Sequence, residues 1–340
     1  MQCYGLRSIP PAKRCALSHD FPPREATAPR LPDGAQSPIF HPMSRLMVLV
    51  LCCASPLPGQ SPMDSLRLRI AERVARVPGA SAGVYFRDLV SGNTLAWNAD
   101  STFHAASTMK VPVMIEYFRG VDAHRFTATQ QVTLTNRFSS IVDGSPYTLD
   151  PIDDSDSSLY QRVGETVAVR ELVERMIIRS SNLATNAMIA LVGAERAQAT
   201  ARALGAASMN VRRGVEDNLA FRAGLNNTTT ARDLGALFEA LARGTAASPA
   251  SSTAMLEILE RQEFNDEIPA GFPAGTRVAH KTGWISGITH DAALVRPTDR
   301  PPFVLVVLTK GIPEMPTAQR LIADVAALVW AYEGRAPAKR

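Results

Sequence analysis

The spacing of apolar residues divides the chain into sheet-forming ends and a helical middle. Residues 64–78 place Leu66, Ile70, Ala71, Val74 and Val77 mainly on one side behind an acidic cap candidate, Asp64, which predicts a helix. Gly83 to Leu89 and Thr94 to Asn98 flank Ser91-Gly92-Asn93, a hairpin signal. Strand patterns return at 277–281, 289–295 and 303–309, the last nearly continuous in apolar residues. A closing helix over 316–332 spaces Leu321, Ile322, Val325, Leu328 and Val329 to cover a sheet. Between the ends, 107–118, 168–179, 183–192, 195–204, 230–243 and 252–262 carry helical patterning, several with alanine-rich faces. Two irregular stretches interrupt them, 139–158 and 208–229, and loops of that length in a compact enzyme are often functional. The outline is an α/β layer built from both chain ends with a helical layer inserted between them. No internal repeat is visible.

The first sixty residues follow a different pattern. Residues 1–42 are proline-rich without a period. From Met43 a short basic start (Arg45), an apolar run (Leu46 to Cys53) and a breaker, Ser55 to Gln60, give the layout of a secretory signal peptide too short to span a membrane as a stable helix. Translation is expected to begin at Met43, so 1–60 reads as a leader with an upstream extension of the reading frame. The mature protein is then expected in the periplasm or outside the cell. The alternative is a disordered tail before a short buried helix. All four cysteines, Cys3, Cys15, Cys52 and Cys53, lie in this leader, leaving no disulfide or cysteine metal site beyond it. Cys52 raises a lipid-anchor reading, but Val50-Leu51 lacks the small residue usual before a lipidated cysteine.

Charge changes the picture only by exclusion. The net charge is +4, yet after residue 60 there are 30 Lys/Arg against 29 Asp/Glu, which makes no electrostatic case for nucleic acid. Within the folded body arginine dominates, and the lysines are Lys110, Lys281 and Lys310. Two of them sit in short motifs, which points to work arginine cannot do, such as shedding a proton near neutral pH.

Ser107-Thr108-Met109-Lys110 puts a hydroxyl and an amine about one helical turn apart. A serine needs a base within hydrogen-bond reach before it attacks a carbonyl, and a buried lysine with a depressed pKa can be that base. The apolar run from Val111 to Ile115 would bury the helix and fix Ser107 at its start. Lys281-Thr282-Gly283 lies in a predicted strand, where Lys281 and Thr282 could hold a carboxylate and Gly283 would permit close approach to the backbone. Ser180-Ser181-Asn182 ends a helical run and could present a hydroxyl and a carboxamide to the same cleft. There is no Gly-x-Ser-x-Gly elbow, no His-Glu-x-x-His and no carboxylate–histidine cluster with metal spacing, so neither a metal nor another cofactor is expected. His104, His124, His280 and His290 read as structural or rim residues, His280 pointing away from the site by strand alternation.

Three motifs in this order make residues 63–333 resemble the class A β-lactamases and the wider penicillin-recognising serine hydrolases. The resemblance implies an α/β (α+β) β-lactamase-like fold. A five-stranded antiparallel sheet flanked by helices would come from 61–105 and 265–335. A mainly helical domain, 106–264, would carry an Ω-like loop near 208–229. In these enzymes a loop glutamate follows the second motif, and 36 residues after Ser180 stands Glu216. The resemblance then implies Ser107 as acylated nucleophile and Lys110 as its base or relay, shared with Glu216 through water. Ser180 would pass a proton to the leaving nitrogen, and Glu216 would activate the deacylating water. Asn182 would hold the substrate side-chain amide, and Lys281 with Thr282 its carboxylate. Backbone N–H groups of Ser107 and Trp284, just past Gly283, would form the oxyanion hole. The substrate would be a small-molecule β-lactam or peptide-like compound and the protein a monomer.

The chain departs from the family pattern in four places. Ser181 replaces the aspartate of the second motif, with a modest effect expected. Ala220 stands where an amide normally helps the glutamate hold water, leaving Asn218 and Asn226 as candidate substitutes. Ser107 and Ser180 are 73 residues apart, longer than usual in the family, so the stretch from Asp143 to Tyr160 is expected to enlarge a loop beside the cleft. The arginine that many relatives pair with Lys281 is absent, with His290 or Arg296 as possible stand-ins. Two other functions therefore stay open: a D-alanyl peptidase or esterase with slow or different deacylation, and a catalytically silent binding module.

Overall fold

The computed structural model describes residues 61–334; the leader expected over residues 1–60 lies outside them. The first element, α1 (Pro62–Ala75), starts two residues earlier than the spacing predicts, because Ser61 rather than Asp64 is the cap. Its hydroxyl oxygen accepts from the Asp64 N–H, and Pro62 takes the first helical position, where the missing N–H costs nothing. The hairpin forms as predicted from β1 (Ser81–Asp88) and β2 (Thr94–Trp97), with Gly92 at φ +77° in its turn.

The helical middle comprises α2 (Lys110–Asp122), α3 (Val169–Ile178), α4 (Asn182–Val192), α5 (Ala194–Ala203), α6 (Asn218–Arg222), α7 (Ala231–Ala242) and α8 (Pro249–Leu259). A full capping box starts α7: Thr230 and Asp233 satisfy each other's backbone N–H groups, a device worth about 1 kcal/mol. The chain closes through β3 (Arg277–Ile285), β4 (Ile288–Arg296), β5 (Phe303–Lys310) and α9 (Met315–Glu333). β3 runs four residues beyond its predicted end and so includes Thr282, Gly283 and Trp284.

The five strands form one antiparallel sheet in the order β2-β1-β5-β4-β3, so the chain's two ends interleave and β3 lies at an edge. Strand alternation splits its side chains between two apolar clusters. Val84, Phe86, Ala293, Val295, Leu305 and Val307 pack with Leu66 and Ile70 of α1 and Leu321, Ile322 and Val325 of α9. Tyr85, Ala292, Leu294, Val304, Val306 and Leu308 pack on the opposite face with α2 and α7. Residues 111–118 of α2 are all buried, which makes that helix the centre of the helical layer and fixes whatever stands at its start. Among the described residues no helix is long and apolar enough to cross a membrane.

Candidate active site

Ser107 lies not in an α-helix but in a tight 3-10 turn, Ala106–Met109, that leads directly into α2. Three residues per turn nearly eclipse positions 107 and 110, so the motif still shares a face. Ala106 has φ +45°, which an alanine adopts only under restraint, and its N–H donates to His104 Nδ1 at 3.0 Å. Gly283 of β3 presses on this turn: a methyl group there would sit 2.8 Å from the Ser107 nitrogen and 3.0 Å from that of Thr108. The first amides of a helical turn have no partner inside it, so the Ser107 N–H and the backbone beyond Gly283 border the same space.

Lys110 is fully buried. Its Nζ donates to the Ser180 carbonyl (2.6 Å), Ser180 Oγ (3.1 Å) and Asn182 Oδ1 (3.0 Å). That differs from the direct Ser107–Lys110 bond the motif suggests: three acceptors from the second motif take the three ammonium donors, while half-buried Ser107 makes no side-chain hydrogen bond among the described residues. Lys281 Nζ, also fully buried, reaches the same Ser180 Oγ at 3.0 Å and the Thr282 carbonyl at 2.9 Å. One hydroxyl thus lies between two amines. Burial pushes Lys110 down to about 7 against the attraction of Asp154 and Glu216. Burial, reinforced by the charge of Lys110, holds Lys281 well below the ordinary lysine value. With a neutral amine on one side, Ser180 can hand on a proton rather than only receive hydrogen bonds.

Ser180 occupies the short connection between α3 and α4 at φ +56°, and Ser181 caps α4 by accepting from the Ala184 N–H. Asn182 bridges two sides of the site, its Oδ1 toward Lys110 and its Nδ2 donating to Glu216 Oε1 at 2.7 Å. Glu216 sits at φ +60° on the loop before α6. Burial raises its carboxyl, the Asn182 hydrogen bond lowers it, and the neighbouring carboxylates Asp154 and Asp153 raise it again. Among the described residues Glu216 forms no ion pair with an arginine. Arg213 instead bonds the loop's own Leu225 and Gly214 carbonyls and Asn226 Oδ1. The loop is fastened to α4, where Asn186 both accepts from and donates to the Val215 backbone (2.7 and 3.1 Å).

Ser107, Lys110, Ser180, Asn182, Glu216 and Lys281 are therefore linked by hydrogen bonds or lie against β3. Thr282 has the strand parity opposite to Lys281, and its buried Oγ1 has no hydrogen-bond partner among the described residues. Trp284 is half-buried and packs edge-on against Phe264, ring centroids 4.9 Å apart. Neither stand-in for the missing arginine is free. His290 is buried and neutral, its pKa pushed down to about 4 by burial, with Nε2 donating to the His104 carbonyl; Arg296 pairs with Glu260. Of the substitutes for the amide absent at Ala220, Asn226 is taken by Arg213, and Asn218 is exposed at the start of α6. His280 points away as expected and pairs with Asp291 at 3.0 Å.

Two features escaped sequence reasoning. The restrained backbone at Ala106, Ser180 and Glu216 leaves no trace in sequence, because none is glycine. Strain of that kind gathers at functional sites. The second is the stretch before Tyr160. Rather than only enlarging a loop, it sends buried Asp154 to the start of α4 and ties Ser140 and Ile141 to Asp217. Its five aspartates, at 143, 150, 153, 154 and 156, were the available signal. Among the described residues no cluster of three or more His, Cys, Asp or Glu is arranged to hold a metal ion.

Residues 65–332 match the model of the Beta-lactamase enzyme family. A β-lactamase of Streptomyces lavendulae is 28% identical over 286 residues, 81% of this chain and 88% of its own length. The β-lactamase AST-1 of Nocardia asteroides is 30% identical over 259 residues, covering 74% of this chain and 78% of that protein. Among solved structures PBP-A superposes with a TM-score of 0.68 at 30% identity, over 81% of this chain and 98% of that one. A mutant of PBP-A, solved as an acyl-enzyme complex with penicillin G, gives the same TM-score at 31% identity.

Proposed function

We propose that this chain, which belongs to the β-lactamase enzyme family and is a serine hydrolase of that kind, opens the amide of β-lactam rings through an acyl-enzyme on Ser107. The observation that carries the reading is Glu216, half-buried, held by Asn182 and joined through it to Lys110. A penicillin-recognising protein that only acylates has no need of a second base; one that turns over does.

In the proposed first step neutral Lys110 or Glu216 accepts the Ser107 proton, directly or through water, as Oγ bonds to the lactam carbonyl carbon. Backbone N–H groups of Ser107 and Trp284 take the developing oxyanion. When the C–N bond breaks, Ser180 passes its proton to the leaving nitrogen and recovers one from the lysine beside it. Lys281 and Thr282 hold the substrate carboxylate, Thr282 Oγ1 being a donor still without an acceptor. In the second step Glu216 takes a proton from water as the oxygen attacks the acyl carbon, and Ser107 leaves with a proton returned to Oγ.

Buried Ala220 favours a second reading. Its own N–H serves the Asp217 cap at 3.0 Å, and its methyl offers water nothing, which suits a D-alanyl peptidase or esterase that acylates well but deacylates slowly. The test is turnover of a chromogenic cephalosporin with mass spectrometry of the protein. Steady hydrolysis through a short-lived Ser107 adduct supports the first reading, and a persistent adduct the second. No adduct with any penicillin or cephalosporin overturns both. Export after cleavage near residue 61 is also proposed. N-terminal sequencing of periplasmic protein tests it, and an intact N-terminus in the cytoplasm would refute it.

A further inference from the structure

Asp154 is 6% exposed and belongs to none of the three motifs. Its Oδ2 accepts from the backbone N–H groups of Asn182 and Leu183, both at 2.9 Å, and from Tyr160 Oη at 3.0 Å. Ser181 Oγ lies 3.4 Å from the same oxygen, and Oδ1 accepts from the Asp156 N–H at 2.9 Å. A carboxylate on the first two amides of α4 is favourably placed against the positive end of an 11-residue helix. With Ser181 accepting from Ala184, the amides of Asn182, Leu183 and Ala184 all have acceptors. Asn182 is the residue that joins Lys110 to Glu216, so its backbone anchor sets where both reacting groups stand.

We propose that Asp154 is a positioning residue for catalysis: from the inserted stretch it supplies the carboxylate that the second motif lacks at Ser181 and holds Asn182 between Lys110 and Glu216. This rests on the reading of Ser107, Lys110 and Glu216 given above. A further consequence is electrostatic. The Asp154 charge stabilises the Lys110 ammonium and disfavours the Glu216 carboxylate, so it moves the titration of both groups in one direction, upward. The other charged or titratable groups facing this pair include Lys281 from β3 and Tyr147, Asp153 and Tyr160 from the insertion.

Asp154→Asn keeps size and an acceptor but removes the charge, and Asp156→Asn is the control. Asp156 is also buried in the insertion, but its carboxylate pairs with Arg175 at 2.8 Å and Arg179 at 3.6 Å, while the α4 amides go to Asp154. Two readouts are independent of β-lactam turnover. The first is a pH titration of ε-13C-labelled lysine by NMR, tractable with five lysines in the chain. The second is the pH dependence of Ser107 labelling by a fluorophosphonate. For Asp154→Asn the Lys110 titration falls below about 7, and the acid limb of labelling moves with it to lower pH. kcat on a cephalosporin drops about 10²-fold with KM changing far less, the scale for a misplaced catalytic group. Asp156→Asn lowers thermal stability and moves neither titration. The double variant Asp154→Ala with Ser181→Asp recovers kcat relative to Asp154→Ala alone. If Asp154→Asn instead lowers only the melting temperature, with both titrations at their wild-type positions, Asp154 is merely structural and the proposal fails. A wild type whose Lys110 titrates as described but which hydrolyses no β-lactam would refute the proposed substrate and leave Asp154 judged by the NMR result.

Discussion

Replacing Glu216 by glutamine separates the two chemical steps with little disturbance of the site. The carboxamide oxygen can still accept from Asn182 Nδ2, now at 2.7 Å from Glu216 Oε1, so the bridge to Lys110 is kept while the base is lost. A positioned general base contributes about 10²–10⁴-fold to a step that depends on it. At 1.36 kcal/mol per tenfold, that raises the deacylation barrier by about 3–5 kcal/mol. Acylation retains Lys110, buried and pushed down to about 7, as an alternative acceptor for the Ser107 proton, so the first step is expected to slow by less than about tenfold. Rapid mixing of Glu216→Gln with a chromogenic cephalosporin should give a burst near one equivalent per enzyme, then a slow steady rate. Intact-protein mass spectrometry should show the adduct, and Ser107→Ala should abolish burst and adduct together. Steady turnover at the wild-type rate would show that Glu216 is not the deacylation base. Loss confined to adduct formation, with deacylation at the wild-type rate, would place it in the first step instead and remove the main argument for hydrolysis over simple acylation.

Three further outcomes follow from the same contacts. Because neutral Lys110 is the competent acceptor and burial holds its pKa at about 7, adduct formation should rise with pH through about 7 and level off above it; a limb near the ordinary lysine value of about 10.4 would refute that role. Gly283→Ala should slow adduct formation about 10²–10³-fold, the effect of losing one oxyanion donor, since its methyl would meet the Ser107 nitrogen at 2.8 Å; labelling at the wild-type rate would show that the turn can retreat. Gly235→Ala should destabilise the fold by about 1–3 kcal/mol despite better helix propensity, because the new carbon would lie 2.3 Å from the Tyr85 ring; a melting temperature at or above wild type would refute it.

The parts of this protein that were legible in sequence are those where one residue's chemistry determines its place. β5 is apolar on both faces because both are covered, and α9 shows a helical stripe because only one side meets the sheet. Lys110 and Lys281 stood out because a buried amine that must lose a proton cannot be arginine. The bonds between them did not stand out. Nothing in Ser-x-x-Lys says that the amine turns from its own serine to Ser180 and Asn182, because that choice is made by α4, which enters from 70 residues away. The role of the 139–158 stretch was hidden for the same reason. Its length was visible, and so were its aspartates, but a carboxylate at the start of a helix brought close by folding has no signature of its own. Loss of the aspartate at 181 looked like a modest defect in one motif. In three dimensions the carboxylate lies in the same neighbourhood, contributed by a segment 27 residues earlier. A missing motif residue should therefore be sought among spatial neighbours before any loss of function is inferred. Ala220 passes that search less well, since Asn226 already serves Arg213 and Asn182 is the side chain that bonds Glu216.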